Sequence, residues 1–253
     1  MLQEILQLNI FAFLLVFARI GTAFFILPGF SSMQVPVRAR LSIALAVSFV
    51  VTPVLLPQMP AVPGEPMMVF GLVAAEMLAG AILGTVPIIL MSAVHVAGTI
   101  ISFMSSLASA LTFDPVVQQQ SAIVSGFLAT VAVVLMFVTE LHHVFIRAII
   151  DSYGLFRPGI PPDMGDVLQL IARHVAESFR VGVQISAPFI LVGFAYNVGL
   201  GILTRLAPQV PVFFVAMPLQ LVVSIIVLMI AVSGSMLAVL THTAEGIQPF
   251  LRP

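Results

Sequence analysis

From Met67 to Ala97 the chain carries one residue charged at neutral pH, Glu76, in a run longer than the roughly 20 residues that take a helix across a bilayer. Apolar segments also occupy about residues 8–27, 41–56, 123–138, 181–203 and 212–240. These runs are continuous rather than alternating, which selects helices and excludes a β-barrel. Only 8% of residues are charged and 60% are hydrophobic, whereas soluble domains carry about 25% charge. The expected fold is all-α: a polytopic membrane protein with about six apolar helical segments. Several of them are broken or kinked. Pro87 lies inside the third, Pro188 inside the fifth, and Pro218-Leu219-Gln220 and Ser233-Gly234-Ser235 interrupt the last. Asp166 to Arg180 reads as a separate amphipathic helix ahead of the fifth segment. Spans this irregular suggest a chain built to pack against other chains.

The same composition removes several kinds of chemistry. There is no cysteine, so disulfides, thiolate catalysis and cysteine-metal sites are out. No basic patch offers itself to nucleic acid, and the net charge is −1. P-loop, G-x-S-x-G and H-E-x-x-H patterns are absent. His142 and His143 are adjacent, point to different sides of a helix and make a poor metal pair. No catalytic, cofactor-binding or metal-ligating residue is therefore expected, and no enzyme. The first apolar run lacks an A-x-A-like cleavage site and is expected to be retained.

Charges and small residues inside the apolar runs mark the remaining candidates. Arg19 sits near the middle of the first segment, where a charge faces protein or water rather than lipid. A buried ion pair with Glu76 is the expected arrangement. Glu76, Gly80 and Gly84 are four residues apart and share one helix face, and Gly80 and Gly84 form a G-x-x-x-G that lets another helix approach. Glu76 serves either in a proton or ion relay or as half of a structural pair. Gly193, Asn197 and Gly201 repeat the spacing and predict one buried amide. Arg38 and Arg40 crowd a short loop and mark a cytoplasmic side.

Gly98 to Gln120 differs from the other apolar stretches. Gly98, Ser102, Ser105, Ser106 and Ser109 gather on one helix face, Phe103, Leu107 and Leu111 on another, and the helix pattern stops at Phe113-Asp114-Pro115. A small polar face at membrane depth packs closely against another helix or lines a water-filled passage. Both readings stay open on the residues alone. Met104 is soft and adaptable enough to suit a seal.

Five stretches together resemble the FliR family of flagellar biosynthetic proteins over essentially the whole chain. They are FLLVFARIG at Phe13 to Gly21, VPVRARLSIAL at Val35 to Leu45, EMLAGAILG at Glu76 to Gly84, FDP at Phe113 to Pro115 and LTRLAPQVPVFFVAMPLQ at Leu203 to Gln220. Thr204 stands where the family often has asparagine or serine, and Ala216 where glycine is frequent. The last stretch places Arg205, Pro208 and Gln209 among the structural polar positions. The resemblance implies a single export-gate domain over residues 1–253, FliP-like to about residue 180 and FliQ-like beyond it. It implies a subunit of the type III export channel, packed in a hetero-oligomeric helical ring with FliP and FliQ, with FlhB and FlhA adjacent and unfolded flagellar subunits as the threaded substrates. The setting is the bacterial inner membrane and flagellar basal body. The family loop around FDP contributes to a resting plug, which points to Ser105, Ser106, Phe113, Asp114 and Pro115, with Leu107 and Leu111 as its apolar part. A virulence-injectisome homologue belongs to the same superfamily. An autonomous ion-coupled transporter using Arg19, Glu76 and Asn197 is a reading of a different class.

Overall fold

A computed structural model describes residues 2–32, 35–105, 123–209 and 212–251. Helices make up its regular structure among these: α1 (Leu2–Ile26), α2 (Val37–Leu55), α3 (Pro66–Met104), α4 (Ile123–Val138), α5 (Leu141–Asp151), α6 (Met164–Leu206) and α7 (Val212–Ile247). The six apolar segments each fall on a helix. Those on α2, α3, α6 and α7 are long and apolar enough to cross a membrane, α4 and α5 qualify together as a bent pair, and Ile10–Ile26 is a shorter apolar helix.

Local chemistry sets the ends. α1 stops at Pro28-Gly29, where Gly29 has φ 81°, a conformation glycine adopts without strain. α6 stops ahead of Pro208. Between α4 and α5 the chain turns at Glu140, whose φ of 60° makes it the left-handed non-glycine residue among those described.

Two expected breaks are absent. The amphipathic stretch from Asp166 and the apolar segment from Val181 form one helix of 43 residues, because only the face pattern changes at Arg180 and nothing there interrupts the backbone. α7 likewise runs for 36 residues through Pro218 and Ser233-Gly234-Ser235. Proline and small residues are tolerated where neighbouring groups satisfy the freed backbone.

The chain forms two compact units. The first comprises residues 1–90, 139–175 and 243–253, and the second residues 91–138 and 176–242. In the first, buried side chains include Leu15, Phe24, Val86, Phe145, Tyr153 and Phe250. In the second they include Val94, Ile101, Leu128, Met136 and Phe189. α3 is the most enclosed of the long helices: 61% of its apolar window is buried, against 17% for α7. The outer faces of α2, α6 and α7 are therefore left for lipid or other chains.

Candidate functional site

In the first unit α1 and α3 run in the same direction and touch along one seam. Arg19 and Ala23 of α1 meet Glu76, Gly80 and Gly84 of α3. A Cβ on Gly80 would collide with the Arg19 carbonyl oxygen, and one on Gly84 would stand 2.9 Å from the Ala23 oxygen. The G-x-x-x-G thus lets two backbones meet, and that proximity carries Arg19 to Glu76.

Arg19 and Glu76 are each 1% exposed. The guanidinium grips the carboxylate at two points, Nε to Oε2 at 2.7 Å and Nη2 to Oε1 at 3.1 Å. Two further N–H donors are also used: Nη1 donates to Ser152 Oγ at 3.3 Å and Nη2 to the Phe156 carbonyl at 3.1 Å. The Ser152 hydroxyl in turn donates a hydrogen bond to the Ile149 carbonyl at 2.6 Å. The Gly159 amide donates to Glu76 Oε1 at 2.9 Å, and the Tyr153 ring lies under the guanidinium, 3.8 Å from Cζ. A buried ion pair is tolerable when both charges are held in good geometry and their other hydrogen-bonding positions are filled. Here the filling comes from residues 152–159, so the pair ties that turn to α1 and α3. Such enclosure suits the structural reading of Glu76 better than a relay, which needs a path to water.

Ser152, Tyr153, Phe156 and Gly159 had no distinguishing signal in the sequence. Two of the four contribute through backbone atoms, which any residue carries. A charge in an apolar run was the signal for Arg19 and Glu76.

In the second unit the C-terminal half of α3 is held on three sides. Gly98 lies against Ser125 of α4, with His95 Nδ1 and Ser125 Oγ 3.2 Å apart. Gly182 of α6 faces Val96 and the Ala93 carbonyl, and Gly193 faces Met104. Gln220 of α7 donates from Nε2 to the Met104 carbonyl at 2.8 Å, and the Tyr196 hydroxyl bonds to the Ala216 carbonyl. The end of a helix leaves carbonyls without partners; Gln220 supplies one from another helix.

The predicted small polar face divides here. Ser102 and Ser105 are buried, and their hydroxyls donate to the carbonyls of Gly98 and Ser102 within their own helix. Both hydroxyls are thus satisfied locally, which suits close packing. Met104 is half-buried and Phe103 exposed. Ser106, Leu107, Ser109, Leu111, Phe113, Asp114 and Pro115 lie outside the described residues. Asn197 departs from expectation: it is exposed, and its amide donates to the Gly193 carbonyl one turn earlier at 2.8 Å, so its polarity is met without burial. Arg205, Pro208 and Gln209 are exposed around the end of α6. Among the described residues no group of three or more histidine or acidic side chains could hold a metal ion.

Long apolar helices, glycine seams and a buried, hydrogen-bonded ion pair define a multi-pass helical membrane protein. The family model described as bacterial export proteins, family 1, matches residues 10–246, and the chain belongs to that family. It is 34% identical over 220 residues to the flagellar biosynthetic protein FliR of Caulobacter vibrioides, an alignment covering 87% of this chain and 88% of that protein. It is 31% identical over 227 residues to the FliR protein of Bacillus subtilis, covering 88% and 86%. Similarity also extends to the Yop proteins translocation protein T of Yersinia pestis, 22% identical over 236 residues and covering 91% and 89%.

Proposed function

We propose that this chain is a non-enzymatic subunit of the flagellar type III protein export gate in the bacterial inner membrane, forming the export channel with FliP and FliQ. The family match over residues 10–246, joined to the FliR relative at 34% identity, carries this reading. The fold agrees with it physically. α3, α6 and α7 have 39, 43 and 36 residues, each on the order of 55–65 Å long at helical rise, while a hydrocarbon core is about 30 Å thick. Helices of that length, with apolar outer faces, suit an assembly in which other subunits cover what lipid does not. Residues 1–180 would act as the FliP-like part and residues 181–253 as the FliQ-like part, with FlhB and FlhA at the channel entrance and unfolded flagellar subunits as cargo.

Co-expression with FliP and FliQ, followed by native mass spectrometry, tests the assembly. One copy of this chain in a larger hetero-oligomer is the expected mass. A stable monomer or homo-oligomer that ignores both partners would overturn the reading. The similarity to the Yop translocation protein supports a second reading, the matching subunit of a virulence injectisome. Assembly with injectisome partners in place of FliP and FliQ would select it.

Within this proposal, Ser102, Met104, Ser105, Ser106, Leu107, Ser109, Leu111, Phe113, Asp114 and Pro115 line or plug the resting channel, and the Gln220 bond holds Met104 in place. Deleting Leu107 to Thr112 is expected to raise resting ion conductance in cells that also make the partner subunits. Unchanged conductance, with normal assembly, would remove the plug from these residues.

A further inference from the structure

α4 and α5 together are apolar enough to make one span, yet the chain bends by 72° between them. Sharp bends in helices have identifiable causes, most often proline, or glycine beside serine. From Phe127 to Tyr153 there is neither proline nor glycine. The bend falls instead on Glu140, at φ 60° and ψ 14°. That conformation is costly for any residue with a Cβ, and glutamate is a good former of ordinary helix. No side-chain hydrogen bond caps the start of α5. Glu140 and His143 stand 3.9 Å apart with both side chains largely exposed, a pair that holds the turn only weakly.

The buried rows show what the turn accomplishes. On α4, Val124, Leu128, Ala132 and Met136 are buried at four-residue intervals. The next position in that row is Glu140. On α5 the buried residues are Leu141, Phe145, Ala148 and Ile149, a row that starts one position out of step. An unbroken helix would carry Glu140 onto the buried row and turn Leu141 off it by about 100°. The left-handed turn instead swings the carboxylate outward, where its side chain is 78% exposed, and Leu141 takes the inner place. Each arrangement therefore bears one penalty. The bent chain carries a strained backbone, and the straight one a carboxylate on an apolar row.

We propose that this joint is a two-state conformational switch set by the side chain at position 140. One state is bent, as here; the other is a continuous helix from Ile123 to Asp151. The switch is independent of the export-gate reading.

The chain has no cysteine, so Phe127→Cys on α4 and Arg147→Cys on α5, both at exposed positions, take spin labels at those two sites alone. Double electron–electron resonance on the full chain in lipid nanodiscs reads the distance between them. It is about 30 Å along a straight helix and shorter in a bent one. With Glu140 in place both distances are expected, the shorter in the majority. Glu140→Gly removes the left-handed penalty and is expected to cut the longer component on the order of tenfold. Glu140→Leu completes the buried row and is expected to raise that component on the order of tenfold. Glu140→Gln, a neutral helix former at the same exposed site, should move it the same way to a smaller extent. Val134→Leu, exposed on α4, should leave the distances unchanged. Should Glu140→Leu fail to fold, the opposite movements of the glutamine and glycine variants still decide the matter. A single short distance in every variant, or a longer component that grows with Glu140→Gly, overturns the proposal.

Discussion

Replacing Glu76 with alanine is expected to destabilise the chain by about 3–5 kcal/mol, measured by SDS titration in mixed micelles and followed by circular dichroism. The variant strands Arg19, which is 1% exposed and would keep only Ser152 Oγ, the Phe156 carbonyl and the Tyr153 ring. It also leaves the Gly159 amide without its acceptor. The double variant Arg19→Met with Glu76→Leu removes both charges together. It is expected to lose much less than the sum of the single changes, since replacing a whole buried pair with apolar side chains is often close to neutral. A loss under about 1 kcal/mol for Glu76→Ala would show that the pair braces nothing. Glu76→Gln separates the relay from the brace: a variant that folds and assembles fully but no longer supports export would restore the relay.

Gly80→Ala and Gly71→Ala lie on the same helix and are expected to have opposite signs. The first puts a methyl group against the Arg19 backbone carbonyl, a contact that α1 and α3 can relieve only by moving apart, at a cost of about 1–3 kcal/mol. Separation would also stretch the ion pair beside it, so the upper part of that range is expected. Gly71 meets nothing within 4 Å, and alanine there should stabilise the helix by about 0.5–1 kcal/mol. The same titration reads both. Equal effects would mean that Gly80 acts through helix propensity alone and that the seam is not tight.

How much of this was legible in the sequence depended on the kind of signal. The helices and the Arg19–Glu76 pair were readable because apolar runs tolerate few charges and a charge within one needs company. Glycines spaced by four announced a close approach but did not name the helix that approaches. Residues 152–159 could not be read as the far wall of the ion pair, since a proline- and glycine-rich turn contributes through backbone atoms. The boundary expected near Arg180 marked a change in which face is apolar, and such a change bends nothing. Asn197 was expected inside on the premise that an amide in an apolar helix must be buried; bonding to the carbonyl one turn back meets its needs at the surface.

The seam between α1 and α3 also governs how such a chain can change length. One residue inserted between Glu76 and Gly84 would rotate everything beyond it by about 100°, turning the second glycine away from Ala23 and closing the slot with a side chain. The same insertion among Pro57 to Glu65, ahead of α3, would rotate nothing in the seam. Gene variants with altered lengths are accordingly expected to collect in the proline-rich connection and to be absent from the eight positions that follow Glu76, where phase rather than composition is under constraint.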